Sequence, residues 1–242
     1  MLNRIRELDL VLFRGITDDG GQWWLNPLNN TQDPRVPITE MIVSQAAGLI
    51  QAPVCESAII DIPPDLEGEE FLPGVGLKPG LAFGSCHLDG IVEERDLTHR
   101  YEDDNQARHA GIYALYDWCW GGDDQWLYQA SDDNRLFSHD HGSYLPGGPY
   151  WTINRLRETV DDPHVQSQSV EGVDPKALLA YAARLDALSD QELGDALGII
   201  PNQWPVSQDE LNAVGWFLMN RAPAVSHRLR KLAASNAEGI TT

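Results

Sequence analysis

Strand-like and helix-like patterns are segregated along this chain, and their order restricts the fold more than any single motif does. Residues 8–25 alternate in polarity around a Gly- and Asp-rich turn, which predicts a β-hairpin. Residues 38–52 have apolar side chains at helical spacing, and residues 53–63 have the pattern of another strand. From about residue 152 onward, helical patterns prevail. Strands followed by helices favour an α+β fold.

Capping signals define the helical half of the sequence. Asp174 precedes Pro175 at the first helical position, and two later segments have the Ser-x-x-Glu spacing of a capping box. Helices are therefore expected to begin near Asp174, Ser189 and Ser207. The last segment, residues 226–242, is predicted to fray into a disordered tail.

Two lobes follow from this arrangement. Residues 1–90 are expected to form a sheet lobe with one helix, and residues 91–242 a mostly helical lobe. Within the first lobe, residues 64–80 are rich in Gly, Pro and Glu and are predicted to form an exposed loop. In the second lobe, residues 107–120 have the apolar density of a buried helix, and a hairpin is predicted over residues 126–142.

The net charge limits the partners that the chain can bind. Its 17 basic and 37 acidic residues give a formal charge of −20, which argues against unaided binding to nucleic acid or to an anionic membrane. A phosphate site would have to be built from metal ions, backbone N–H groups and a few arginines. The three cysteines form no CxxC pair and favour a reducing, cytoplasmic setting. No signal peptide or membrane-spanning stretch is expected.

Acidic residues and histidines are concentrated between Asp117 and Gly142. A GGDD loop follows the predicted helix 107–120, and an HDHG sequence ends the predicted hairpin. Carboxylates at these two places could approach one cleft from opposite sides. One could position an attacking hydroxyl group while the other holds Mg²⁺ against nucleotide phosphates, which is the chemistry of phosphoryl transfer.

Five segments, in order, make the chain resemble the HipA-like kinases, bacterial relatives of the protein-kinase and phosphatidylinositol-kinase fold. They correspond to a glutamate-bearing helix with the following strand, a Gly-Phe-Gly segment, the catalytic loop, the metal-binding strand end and an Ile-Pro-x-x-Trp element. In this chain they are residues 39–62, 80–85, 116–125, 136–142 and 199–205. The resemblance implies a two-lobed kinase-like fold. It also implies that ATP and Mg²⁺ are cofactors, and that an unidentified protein serine or threonine hydroxyl group accepts the phosphoryl group.

The resemblance assigns roles to individual residues. Asp124 corresponds to the catalytic aspartate that orients the hydroxyl group, and Asp140 to the metal-binding aspartate. Glu40 corresponds to the helix glutamate that normally pairs with a nucleotide-anchoring lysine. The turn of residues 17–21, with Thr17, Gly20 and Gly21, stands where a loop over the phosphates would be.

The sequence departs from the family pattern at several of its charged positions. The family lysine would lie near Leu25 or Asn26, but Lys78 is the first lysine of the chain. The metal-binding asparagine is replaced by Gln129. The Gly-Asn-x-Asp-Arg signature reads Gly-Gly-Asp-Asp-Gln at residues 121–125.

Arginine is the remaining source of positive charge near the phosphates. Arg14 and Arg35 are the candidates because they are nearest in sequence to the predicted strands and helix, although arginine reaches phosphate with a different geometry from lysine. We expect either that one of them pairs with Glu40 at the cleft or that Glu40 turns to solvent.

Two alternative functions remain open. A degenerate kinase would bind nucleotide or a protein partner without efficient transfer. A metal-dependent hydrolase would use His139, Asp140 and His141. It ranks last, because strand alternation would put the two histidines on the face opposite Asp140 and no further His-rich motif supplies ligands.

Overall fold

The computed structural model describes residues 13–94, 96–124, 126–166 and 169–239. Its strands are β1 (Phe13–Ile16), β2 (Gln22–Asn26), β3 (Ser57–Ile62), β4 (Glu70–Leu72), β5 (Val75–Gly76), β6 (Gly80–Cys86), β7 (Ile91–Glu94), β8 (Trp126–Gln129) and β9 (Arg135–Phe137). Its helices are α1 (Val36–Ile50), α2 (Asn105–Cys119), α3 (Ile153–Thr159), α4 (Pro175–Ala187), α5 (Asp190–Leu197) and α6 (Gln208–Gly239).

The first sheet is antiparallel and has the strand order β1-β2-β6-β3. The hairpin expected within residues 8–25 is present as β1 and β2, while residues 8–12 lie outside the described part of the chain. Trp24 pairs with Ser85 and Asn26 with Phe83, so these four side chains share one face of the sheet. This is the face that is turned toward α1.

The opposite face of the first sheet has its own apolar core. Phe13 and Leu25 pack there with Phe71 and Leu77, and the Phe13 and Phe71 rings lie 5.2 Å apart. The prediction of an irregular exposed loop over residues 64–80 is therefore wrong in part, because this segment contains the β4–β5 ribbon. The Gly- and Pro-rich composition indicated a loop, although Phe71 and Leu77 within this segment pack on the sheet.

Helix α1 lies between the sheet and the helical half of the molecule. Pro37 occupies its first turn, and Gln51 ends it in the left-handed region with a φ of 56°. Ile38, Met41 and Ile42 are almost completely buried, and α1 contacts β6, α2, α4 and α5. Because α1 is covered on nearly all sides, even Thr39 and Glu40 are removed from water.

Helices α2, α4 and α6 form the core of the helical half, and the Trp118 side chain joins α2 to α6 by donating to the Leu218 carbonyl at 2.8 Å. The expectation that residues 226–242 fray is wrong for the described part, because α6 continues through Gly239. Val225, Leu229 and Ala233 recur every four residues and are buried, which gives this end of α6 an apolar stripe against its neighbours.

A second, three-stranded sheet lies at the start of the second half of the chain. The predicted hairpin is present as β8 and β9, and β7 pairs with β8 to give the order β7-β8-β9. After β9 the chain runs beside the start of the β3 region, where Ser138 donates its backbone N–H to the Pro53 carbonyl at 2.8 Å. None of the helices in the described ranges is long and apolar enough to cross a membrane.

Candidate nucleotide site

A cavity of about 250 Å³ lies between the first sheet, α1 and the second sheet. The sheet contributes side chains from its α1-facing side, and the second sheet contributes residues from β7 and β8. The segment after β9 closes one end. The lining residues are Trp24, Glu40, Ser44, Cys55, Phe83, Ser85, Cys86, Leu88, Ile91, Glu93, Leu127, Ser138, His139, Asp140 and His141.

Strand alternation explains which first-sheet residues reach the cavity. Trp24 on β2 and the alternating pair Phe83 and Ser85 on β6 belong to the same face. Leu25 points to the second core instead, so it does not occupy the family lysine's place. Asn26 shares the face of Trp24 and is 3% exposed, and its Oδ1 has no hydrogen-bond partner.

The segment Ser138–His141 presents Asp140 to the cavity. Asp140 has a φ of 54°, a left-handed conformation that is uncommon for a residue with a side chain, and a short 3₁₀ turn begins immediately after it. The Ser138 hydroxyl lies 2.9 Å from His141 Nε2. Because the backbone turns here, His139, Asp140 and His141 do not alternate as they would in a strand. That alternation was one of the reasons for ranking the metal-dependent hydrolase last.

Glu40 holds this turn from α1. It is 4% exposed, and its Oε2 accepts the backbone N–H of His141 at 3.1 Å. Burial raises the pKa of Glu40 well above the usual range for a glutamate. The nearby charge of Asp140 and a hydrogen bond to that residue add to the rise, while the His141 and Gly142 N–H groups oppose it. The two carboxyl groups assigned to separate roles thus touch each other.

Neither expected arrangement of Glu40 is found, because it pairs with no arginine and is not turned to solvent. Arg35 forms an ion pair with Glu210 at 3.0 Å and lies over the Trp151 ring at 4.0 Å from its centroid. Arg14 on β1 pairs with Trp24 on β2 and shares its face of the sheet, but the Arg14 guanidinium donates to the Gln22 side chain. The proposed Arg–Glu40 pair is therefore a wrong prediction. Arg14 is engaged by Gln22 on the neighbouring strand, and Arg35 by Glu210 and Trp151 from distant parts of the chain.

The two histidines that flank Asp140 favour their neutral forms. Burial, together with a smaller contribution from the neighbouring His139, lowers the pKa of His141 to about 3. Burial also lowers the pKa of His139, although Glu93 and Asp140 oppose this shift. Within the described ranges, no group of three or more His, Cys, Asp or Glu side chains is arranged to hold a metal ion. The metal-dependent hydrolase therefore gains no support from the geometry.

The acidic loop of residues 121–124 adjoins the turn after Asp140. Gly122 abuts Ser143 so closely that an added Cβ would lie 2.1 Å from its Oγ. Burial raises the pKa of Tyr116 to about 12, with the charges of Asp124 and Asp123 contributing. Burial also raises the pKa of Tyr144, and the charge of Asp124 adds a small part of that rise. Asp124 is thus electrostatically coupled to the neighbourhood of the turn, although it is not one of the cavity-lining residues.

Gln129 lies away from Asp124. Strand β8 starts at Trp126, so the chain is already extended two residues after Asp124, and Gln129 is at the far end of that strand opposite Ile91 and Arg135. Three residues of strand separate Trp126 and Gln129 by roughly 10 Å. Gln129 does not line the cavity, and its metal-binding role stays a prediction.

The turn of residues 17–21 is well ordered by its own side chains. Asp19 Oδ1 accepts from the Thr17 hydroxyl at 2.5 Å and from the Gly21 N–H at 3.0 Å, and Gly20 has a φ of 85°. Thr17, Gly20 and Gly21 do not line the cavity. Their predicted contact with phosphates remains a prediction.

Leu127 was missed from the sequence, whereas Phe83 lies in the Gly-Phe-Gly segment of the resemblance and the Trp23–Trp24 pair was a weak candidate for stacking on a base. Leu127, Phe83 and Trp24 are apolar side chains within strands. Only the alternation of each strand indicates whether such a side chain faces the cavity or an apolar core. Cys55 and Cys86 also line the cavity, whereas the sequence indicated only that the cysteines form no CxxC pair. Burial raises the pKa of Cys55 to about 12, so its thiol stays protonated.

These features define the class of the fold. A small antiparallel sheet with one packed helix, a mostly helical second half and a cavity between them form the two-lobed kinase-like fold. The chain is similar to the crystal structure of the Helicobacter pylori proinflammatory kinase CtkA, with a TM-score of 0.57 and 9% sequence identity. The match covers 100% of this chain and 97% of that chain. Comparisons with protein-family models and with curated sequences find no match.

Proposed function

We propose that the protein is a Mg²⁺-dependent kinase of the HipA-like type that binds ATP in the cavity and phosphorylates a serine or threonine hydroxyl group of a protein. The observation that carries the proposal is the placement of Asp140 and Glu40 at one end of a cavity bounded by both halves of a kinase-like fold. The HipA-like resemblance had assigned these two residues to that place from sequence.

The cavity has an environment suited to a purine base. Phe83 and Ile91 contribute apolar surface, Leu127 does so from β8, and Trp24 adds an aromatic ring. Ligand pockets in proteins are mostly apolar, with a few polar groups that fix orientation. A volume of about 250 Å³ is slightly below the range of about 300–1,000 Å³ that is usual for ligand pockets. The base would therefore be buried while the phosphates extend toward Asp140.

Asp140 is the residue that would hold Mg²⁺. Protein sites for Mg²⁺ commonly supply only one or two carboxylates, and the phosphates of the substrate complete the coordination. In the described part of the chain, no three or more metal-binding side chains come together, and an ion held by one carboxylate and the substrate phosphates does not require such a cluster. Bound Mg²⁺ would neutralise charge on the β- and γ-phosphates. Glu40 would act through Asp140, because it holds the backbone of the next residue, His141.

Asp124 would orient the hydroxyl group that attacks the γ-phosphate. Its loop adjoins the turn after Asp140, and its charge is coupled to Tyr116 and Tyr144. An aspartate in this role accepts the hydroxyl proton in the transition state and positions the oxygen for in-line attack. The proposal requires the Asp124 and Asp140 carboxylates to face one cleft.

A degenerate kinase is the second candidate, and one observation favours it. Among the described residues that line the cavity there is no lysine or arginine, whereas three carboxylates, Glu40, Glu93 and Asp140, do line it. Without a cation for the α- and β-phosphates, ATP would bind weakly and transfer would be slow. Such a protein would bind a nucleotide or a protein partner through the same fold.

Autophosphorylation with labelled ATP tests the leading proposal. We expect phosphate incorporation by the wild type in the presence of Mg²⁺ and at least a 100-fold loss in Asp124→Ala, since the loss of a positioned acid–base group costs about 10²–10⁴-fold. Asp161→Ala, at an exposed position beyond α3, is the matched control and should keep wild-type activity. Equal activity in Asp124→Ala and the wild type would exclude the assigned role.

Lysine substitutions separate the two candidates. Trp24→Lys and Asn26→Lys place an ammonium group on the cavity-facing side of β2, while Leu25→Lys places it in the second core as a control. A degenerate kinase should gain nucleotide binding or transfer from one of the first two variants and none from the third. If the wild type is inactive and neither it nor any variant binds nucleotide, both the kinase and the nucleotide-binding degenerate kinase are rejected, and only the kinase-like fold stands.

A further inference from the structure

A histidine outside the cavity is built into the support of the acidic loop. His164 lies in the irregular segment between α3 and α4, more than 40 residues from the loop in sequence. Its Nε2 is 2.6 Å from the Gly121 carbonyl oxygen, so the Nε2–H tautomer donates a hydrogen bond to the loop. The HipA-like resemblance assigns no role to this residue.

Ring stacking fixes the orientation of that hydrogen bond. The His164 ring is nearly parallel to the Trp120 ring at a centroid distance of 4.3 Å and an angle of 11°. It is also nearly parallel to the Tyr116 ring, at 5.3 Å and 5°. Two aromatic contacts restrict the rotation of the imidazole, which leaves Nε2 directed at the loop.

A buried ionic group fixes the backbone of the same histidine. The His164 N–H lies 3.3 Å from Asp117 Oδ1. Asp117 is fully buried and accepts two hydrogen bonds from Arg228, at 2.7 and 2.8 Å, and one from Arg221 at 3.2 Å. A buried carboxylate with two arginine partners is a firm anchor, because its hydrogen bonds are charge-assisted and its removal would leave the buried Arg221 without its ionic partner.

The acidic loop is held at both of its glycines. His164 binds the Gly121 carbonyl, and the Tyr116 hydroxyl donates to the Gly122 carbonyl at 2.8 Å. The Gly121 N–H donates to the Tyr116 carbonyl at 2.7 Å, and Trp120 enters the loop with a left-handed φ of 57°. The backbone is thus fixed immediately before Asp123 and Asp124.

From this arrangement we propose that His164 is a positioning residue that sets the direction of the loop carrying Asp124. The ring is supported by Trp120 and Tyr116, and its backbone is anchored to Asp117. Its effect on phosphoryl transfer rests on the proposed function, whereas its effect on the loop does not. Misplacement of a reacting group by about 1 Å can cost about 10²-fold in rate.

Two substitutions at one position separate the hydrogen bond from the stacking. His164→Phe keeps an aromatic ring and removes the donor, while His164→Gln keeps an N–H donor and removes the ring. His227→Phe, at an exposed position of α6, is the matched control. Hydrogen–deuterium exchange of the full-length protein reports on the Gly121 amide and its neighbours without any need for activity. Phosphate transfer from labelled ATP is measured in parallel.

The expected results differ between a positioning role and general stabilisation. His164→Phe should speed exchange in the peptide containing residues 121–124 by about tenfold, leave the middle of α2 unchanged, and lower kcat about tenfold or more with little change in KM for ATP. His164→Gln should retain part of the protection. Unchanged exchange in His164→Phe, or equal loss of protection throughout α2, would overturn the proposal. If the wild type transfers no phosphate but His164→Phe still speeds exchange of the loop, the positioning role is upheld and the proposed function is rejected.

Discussion

At the scale of single residues, the contact between Glu40 and Asp140 dominates the chemistry of the cavity. Both carboxyl groups lie at the same end, and Glu40 is 4% exposed. Burial and the charge of Asp140 raise the pKa of Glu40, so folding favours its protonated form. A protonated carboxyl group can donate a hydrogen bond to its neighbour, whereas two ionised groups would repel each other.

Glu40→Gln is expected to stabilise the protein at neutral pH and above. A group whose pKa is raised on folding contributes its full stability below the unfolded pKa, about 4.3, and loses that contribution as the pH rises toward the folded pKa. The wild type should therefore lose stability relative to Glu40→Gln by up to about 1.4 kcal/mol per pH unit across that window. Urea unfolding at a series of pH values measures the difference.

The matched control for this substitution is Glu158→Gln on α3, where the side chain is exposed. Its stability difference from the wild type should stay nearly constant with pH. A Glu40→Gln variant that is less stable than the wild type at pH 8 would show instead that Glu40 is ionised in the folded protein and bound to a partner.

From the sequence, a residue could be placed near the cavity only where a motif fixed both its identity and its position. Asp140 and Glu40 both line the cavity, and the roles that the family resemblance implies for them stay predictions. The partners of Glu40 were not predictable, because the His141 N–H comes from a segment 101 residues away. Arg35 was chosen for its closeness in sequence, but its guanidinium is engaged with Glu210 and Trp151. Side-chain pairing of this kind depends on the packing of distant segments.

At the scale of elements, the most informative one is the C-terminal part of α6. Its many polar residues suggested fraying, yet Leu229 is completely buried and Arg228 binds Asp117. The apolar stripe has only one residue in every four, so the composition of this segment gives little sign that the helix is packed. The strand ribbon β4–β5 was missed for the same reason: Phe71 and Leu77 are two buried residues within a segment rich in turn formers.

Leu229→Ala is expected to destabilise the protein by about 2–5 kcal/mol, because removing a buried leucine side chain loses its burial and leaves a cavity. Thermal or urea unfolding measures the effect. His227→Ala, at the exposed position two residues earlier, should change stability by no more than about 0.5 kcal/mol. If Leu229→Ala were as mild as the control, this end of α6 would not be part of the folded core.

At the scale of the whole molecule, strong negative charge surrounds a site that is proposed to bind a polyanion. The formal charge is −20, and the cavity itself is lined by carboxylates and no described cation. Two different physical effects could therefore oppose ATP binding. One is the long-range field of the protein, which dissolved salt screens over about 10 Å at 0.1 M ionic strength. The other is the local absence of a positive partner for the phosphates, which salt does not supply.

ATP binding is expected to require Mg²⁺ at the site and to stay weak in EDTA even when salt screens the long-range field. Calorimetric titration in Mg²⁺ should give a Kd at least about tenfold lower than titration in EDTA, which corresponds to about 1.4 kcal/mol or more. Raising NaCl to 0.5 M in EDTA should not restore binding. Asp140→Asn should remove most of the gain that Mg²⁺ provides, while Asp161→Asn, an exposed control, should leave it intact.

The possible outcomes of this titration distinguish the two electrostatic effects. Recovery of binding by salt in EDTA would mean that the −20 charge, acting at long range, is the main barrier, and that no local ion is needed. Equally tight binding in Mg²⁺ and EDTA at low salt would contradict both effects, since a cation of the protein would then have to reach the phosphates. Binding that needs Mg²⁺ but is unchanged in Asp140→Asn would move the metal ion to a different carboxylate, and Glu40, which touches Asp140, would be the next residue to test.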